Sequence, residues 1–144
     1  MAPNPMNPLE QLLLERDLHQ VVCRYAQLCD ARDWTLIDQI FSADATANYG
    51  GWALPDRATI LKMVRDNLGG CGPTQHLLGN LTVTVDDQGV SSRISVRAAH
   101  RGAGDKRLDR VCGGKIKDCS VGVVVGPGKV DREHRVVAHH RICG

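Results

Sequence analysis

Residues 90–101 alternate without a break, and this restricts the chain more than any other stretch. Val90, Ser92, Ile94, Val96, Ala98 and His100 fall on one side of an extended strand. Ser91, Arg93, Ser95, Arg97, Ala99 and Arg101 fall on the other. Such a strand has one face against a core and one in water, the habit of antiparallel sheets. A slip of one residue would turn every apolar side chain outward, so the register is fixed. The alternation therefore predicts that His100 points inward, while Arg93, Arg97 and Arg101 point away.

The remaining elements are read against that strand. From Leu9, apolar residues recur at 14, 18, 21, 22, 25 and 28 or 29, the spacing of one helix face, and predict a helix over about 9–30. Asp33 can cap a second, short helix through Ile37, Ile40 and Phe41. Residues 45–49 read as a short strand ended by Gly50-Gly51. Asp56 caps a third helix with Ile60, Leu61, Val64 and Leu68 as its buried stripe, and the run from Gly69 to Pro73 stops it. All that follows reads as strand: 75–85, then the 86–89 turn, 90–101, one or two strands over 108–125, and a last strand over 135–143. On 75–85 simple alternation places His76 with Leu78, Asn80, Thr82 and Thr84, opposite Leu77, Leu81, Val83 and Val85. Helices first and antiparallel strands after give an α+β domain, a curved sheet covered by helices. Residues 1–8, with three prolines, read as a loose arm, and 9–144 as a single domain.

Composition excludes several function classes. A net charge of +2, with scattered arginines and few aromatics, gives no nucleic-acid footprint. No apolar run is long enough to span a membrane, and the first residues lack the pattern of a secretory signal, so a cytoplasmic location is expected. The six cysteines show no Cys-x-x-Cys spacing and read as thiols. His134, His139, His140 and Cys143 lie close in sequence, but the adjacent histidines point to opposite faces of a strand, so no metal site is expected. No phosphate-binding glycine loop or Gly-x-Ser-x-Gly elbow is present, and no cofactor is expected.

The chemistry-bearing candidates are few. Asp30 lies at the C-terminal end of the long helix, where the helix dipole disfavours an acid unless a positive group meets it. A histidine from elsewhere, His76 or His100, can be that partner; a plain surface charge is the other reading. His100 is either a core histidine bonded to a backbone carbonyl or a group facing a pocket. Tyr25 faces the sheet with Val21 and Val22, and its hydroxyl needs a partner.

Taken in order, Tyr25-x4-Asp30-x2-Asp33-Trp34, Asn48-Tyr49, the run from Thr74 through His76 to Asn80, and Ala99-His100-Arg101 resemble the SnoaL-like branch of the NTF2-like superfamily. The resemblance is strongest to the scytalone and bile-acid dehydratases, and covers about 10–101 and the final strand. It implies a cone in which a bent sheet wraps a pocket closed by helices. It also implies a cofactor-independent dehydratase, a carbon–oxygen lyase acting on a small hydrophobic cyclic ketone. Asp30 and His76 would form its base, His100 its second acid, and Tyr25 or Tyr49 the donor to the substrate carbonyl. Cys29 replaces a second carbonyl-facing tyrosine, and Cys29, Trp52, Leu78, Asn80 and Val96 would touch substrate. A homodimer through the outer sheet face, or a homotrimer, is implied as well. A polyketide cyclase, a ketosteroid-isomerase-like enzyme, or a non-catalytic ligand-binding scaffold on the same pocket are the alternatives. Residues 102–132 depart from the family by being rich in glycine and valine and poor in aromatics.

Overall fold

The computed structural model describes residues 6–49, 52–87, 89–102, 117–125 and 141–142, the last two stretches through their backbone. Helix α1 spans Pro8–Ala31. Asn7 caps it, accepting from the Glu10 backbone N–H, while the Glu10 carboxylate accepts from the Asn7 N–H. This reciprocal pair, with Pro8 at the first helical position, satisfies donors that a helix start leaves orphaned. Asn7 and Pro8 therefore belong to the helix and not to a loose arm. The buried stripe is Leu18, Val21, Val22, Ala26, Leu28 and Cys29. Arg32 ends the helix in the left-handed conformation, φ 57°.

A 3-10 helix, Trp34–Gln39, follows, with the Asp33 carboxylate accepting from Thr35. Strands β1 (Ala47–Tyr49) and β2 (Trp52–Leu54) pair antiparallel, with Tyr49 opposite Trp52. The second of these was not expected, since Gly50-Gly51 reads as a stop. Helix α2, Arg57–Leu68, is capped by Asp56, which accepts from the Thr59 N–H at 2.7 Å. Three long strands then form a second sheet in the order β3 (Cys71–Asp86), β4 (Gly89–Gly102), β5 (Lys117–Val125), all antiparallel. Gly89, at φ 125°, opens β4 where a side chain would be strained. The short β6 (Arg141–Ile142) runs parallel to β1. The readings of 103–116 and most of 126–144 lie outside the described residues.

The core lies between α1, the 3-10 helix, α2 and the inner face of the long sheet. Phe41, Leu28, Ile40, Ile60, Ile94 and Cys29 are fully buried there. Strand β4 has the expected faces: Ser92, Ile94, Val96 and Ala98 are buried, His100 is half-buried, and Arg93, Arg97 and Arg101 are exposed.

Strand β3 departs from simple alternation. Its register shifts between Gly79 and Thr82, and Asn80 sits there at φ 56°. This bulge resets the faces. His76 and Leu78 point inward before it, and Leu81 and Val83 pack on the core after it, with Thr82 exposed. Asn80 is itself exposed, so its expected place beside His76 is corrected: the extra residue turns it out. The strand also starts earlier than expected, because the run read as a helix stop already pairs with the end of β4. Pro73, which lacks an N–H, falls inside the irregularity between Cys71 and Thr74.

Gly72 shows how closely the strands approach here. A Cβ on it would lie 2.6 Å from the Gly102 carbonyl oxygen, whereas one on Gly79 would meet nothing within 4 Å. Gly72→Ala is therefore expected to lower the melting temperature, and Gly79→Ala to leave it near or above the parent. Equal melting curves for the two variants would contradict that reading.

Candidate active site

The end of α1 and the start of β3 bring the candidate residues together. Asp30 accepts from three donors: the His76 ring at Nδ1 (2.6 Å, to Oδ1), the His76 backbone N–H (2.9 Å, to Oδ2) and the Thr74 hydroxyl (3.0 Å, to Oδ1). The side chains of His76 and Asp30 are 11% and 28% exposed, so the pair is largely withdrawn from water. A carboxylate on Nδ1 sets the tautomer that carries its hydrogen there and leaves Nε2 as the basic atom. Among the described residues nothing bonds that Nε2. The acid at the helix end thus has the histidine partner the sequence suggested.

It also has a cation that the sequence reading missed. Arg32 reaches back from its left-handed position and donates to the Cys29 carbonyl. It also donates to the Thr74 hydroxyl oxygen (2.9 Å) and the Gly72 carbonyl (2.8 Å). A positive group at the helix C-terminus offsets both the dipole and Asp30. The signal was present two residues beyond Asp30.

His100 lies opposite Thr74 across β3 and β4, its ring edge-on to His76 with centroids 5.6 Å apart. Burial, then the neighbouring His76, then the Arg32 charge lower its pKa, with Asp30 opposing them. These effects favour the neutral imidazole, which keeps one ring N–H to donate. Sign follows from linkage: the unfolded chain binds the proton more readily than the fold does. Stability is therefore complete above the ordinary histidine value of about 6.5 and falls as the pH drops through it. Melting curves of the parent should fall more steeply across that range than those of His100→Gln; parallel curves would remove His100 from the explanation.

Toward the other end of the site, the Tyr25 and Tyr49 hydroxyls are 2.9 Å apart. Tyr25 also meets Phe41 edge-on at 6.0 Å. Burial first, then Tyr49 and Cys29, raise the Tyr25 pKa well above the usual tyrosine value, so it stays protonated and able to donate. Cys29 is pushed up to about 12, chiefly by burial, and stays a thiol without nucleophilic character. Tyr25 precedes Asp30 by five residues on α1, roughly 7–8 Å along the axis, which is the scale of a small ring. Leu78 and Val96 are direct partners on the inner face of β3 and β4. Trp52 is 68% exposed, at the rim of the β1–β2 pair and not in the interior.

Among the described residues no cluster of three or more metal-ligating side chains exists, and His134, His139, His140 and Cys143 lie outside them. Cys23, Cys29 and Cys71 are thiols. No described helix is long and apolar enough to cross a membrane.

Residues 10–122 match the model of the SnoaL-like domain. The chain belongs to the SnoaL-like family. Its fold is NTF2-like, as the solved structures agree. A protein similar to it is Kfla4162 of Kribbella flavida, at 16% identity over 93% of each chain and a TM-score of 0.68. An NTF2-like protein with a cystatin-like fold from Novosphingobium aromaticivorans shares 18% identity over 93% of this chain and 84% of its own, with a TM-score of 0.67. A candidate scytalone dehydratase from the same organism shares 16% over 91% and 82%, with a TM-score of 0.62. At such identities these structures speak for the fold alone. No curated protein matches the chain.

Proposed function

We propose that this SnoaL-like protein is a cofactor-independent carbon–oxygen lyase that removes water from a small cyclic β-hydroxyketone. The observation that carries the reading is the Asp30–His76 contact of 2.6 Å on Nδ1, which makes Nε2 the base. A neutral histidine needs no further tuning to act near neutral pH.

In the first step Nε2 takes the proton next to the carbonyl. The C–H electrons form the enolate, whose oxygen the Tyr25–Tyr49 hydroxyls stabilise by donation. Asp30, locked by its three donors, stabilises the imidazolium. In the second step the carbonyl re-forms, the new double bond closes and the β C–O bond breaks. The departing hydroxide takes the proton back from His76 and leaves as water. One group thus serves as base and then as acid. His100 contributes as a neutral hydrogen-bonding neighbour of the leaving hydroxyl. Cys29, Leu78 and Val96 supply the apolar wall, and Trp52 the rim where a flat ring would enter. A candidate scytalone dehydratase has the same fold, which is compatible with this reaction class.

The test is a panel of cyclic β-hydroxyketones followed by absorbance and mass. The proposal expects a conjugated enone and the loss of one water. Turnover with mass retained would assign an isomerase or cyclase instead, and binding without turnover a ligand carrier.

A further inference from the structure

We propose that Arg32 is a positioning residue of the Asp30–His76 pair, acting through Thr74. The inference rests on the reading of that pair as the proton-abstracting unit.

Guanidinium N–H groups only donate, and a hydroxyl has one hydrogen. The Arg32 N–H occupies an acceptor site on the Thr74 oxygen at 2.9 Å. The Thr74 hydrogen must then point elsewhere, and Asp30 Oδ1 lies 3.0 Å away. That same oxygen receives His76 Nδ1–H at 2.6 Å. Arg32 therefore fixes the direction of a chain that runs from guanidinium to hydroxyl to carboxylate to imidazole. Its other two bonds, to the Cys29 and Gly72 carbonyls, tie the end of α1 to the start of β3, the two elements that carry the pair. Gly72 can present its carbonyl there because its backbone packs where a Cβ would strike Gly102.

The backbone of Arg32 points the same way. A non-glycine residue in the left-handed region is strained. Glycine would end the helix there without that strain. What glycine lacks is a guanidinium able to bridge three acceptors. Lysine keeps the charge but has no fork. Geometry and charge can thus be separated by substitution.

The experiment uses the full-length protein labelled with nitrogen-15 and reads the imidazole resonances, without any substrate. The parent should show His76 protonated at Nδ1, with a far-downfield proton that Asp30→Asn abolishes. Thr74→Val and Arg32→Gln should each shift that proton upfield or broaden it away. Arg32→Lys should do the same, yet leave the His100 titration midpoint near the parent's, whereas Arg32→Gln should raise it. If Arg32→Gln and Thr74→Val leave the His76 proton and tautomer at their parent values while lowering the melting temperature, Arg32 is a helix cap only and the inference is overturned. If Arg32→Gln does not fold, Thr74→Val decides alone, since it removes only the hydroxyl. If the parent itself lacks an Asp30-dependent Nδ1 proton, the pair is not formed, and both the inference and the function it rests on fall.

Discussion

Asp30→Asn is expected to lower turnover roughly 10³- to 10⁴-fold while changing substrate binding little, by comparison with other His–Asp pairs. The amide matches the carboxylate in shape but carries hydrogens on one of its two ends. The three donors around Asp30 leave no good place for that end. Facing His76 Nδ1, it would donate, push the ring hydrogen to Nε2, and leave no base toward the substrate. Facing the other way, it would collide with the His76 backbone N–H. His76→Ala should cost about as much, and the double variant little more, because the residues act as one unit. Separate measurement of kcat and KM for the three variants checks this. Parent-like turnover in both single variants would make the pair structural.

Phe41→Ala is expected to be the most destabilising single truncation of the core. The residue is 2% exposed and belongs to the same buried core cluster as Leu28, Ile40 and Ile60. Removing a buried phenylalanine costs about 3–5 kcal/mol through lost burial and the cavity left behind. For a chain of this length that is on the order of a 10 °C fall in melting temperature, and a large share of a total stability of about 5–15 kcal/mol. The effect should reach the site as well. Phe41 supports the Tyr25 ring edge-on, and Tyr25 holds Tyr49 by its hydroxyl. Phe41→Leu, which keeps much of the volume, should recover most of the stability but less of the activity. Thermal and urea unfolding measure the first quantity and steady-state rates the second. A Phe41→Ala melting curve within a degree or two of the parent would contradict the placement of the core.

The legible parts of this chain are those where a single period runs unbroken. Strand β4 alternates throughout, so the inward turn of His100 and the outward turn of Arg93, Arg97 and Arg101 could be read from residue order alone. The apolar stripe of α1 and the caps at Asp33 and Asp56 were legible for the same local reasons. Strand β3 was not, because Asn80 enters the left-handed region and shifts the phase in mid-strand. Nothing before Gly79 announces it, and Leu81 and Val83 look misplaced until the bulge is counted. The place of Trp52 was lost at Gly50-Gly51, which has the composition of a strand end.

At the site, the sequence pointed to an acid in need of a positive partner, and proximity in space supplied two. The histidine is legible because its chemistry is conspicuous. Arg32 is not, since a basic residue just past a helix end reads as ordinary solvated charge. Only the fold shows that it turns back onto Thr74 and Gly72. The lowered pKa of His100 was beyond sequence reasoning for a similar reason. Its charge state depends on burial and on His76 and Arg32 being near at once.

The most direct measurement of the central claim is deuterium wash-in from heavy water into the position next to the carbonyl of a cyclic ketone that lacks a leaving hydroxyl. Only proton abstraction and return are then possible, so elimination does not obscure the base. The parent protein should catalyse the exchange, His100→Asn should retain it in large part, and both Asp30→Asn and His76→Ala should reduce it to the background of the buffer. Exchange that persists at the parent rate in His76→Ala would show that another group is the base.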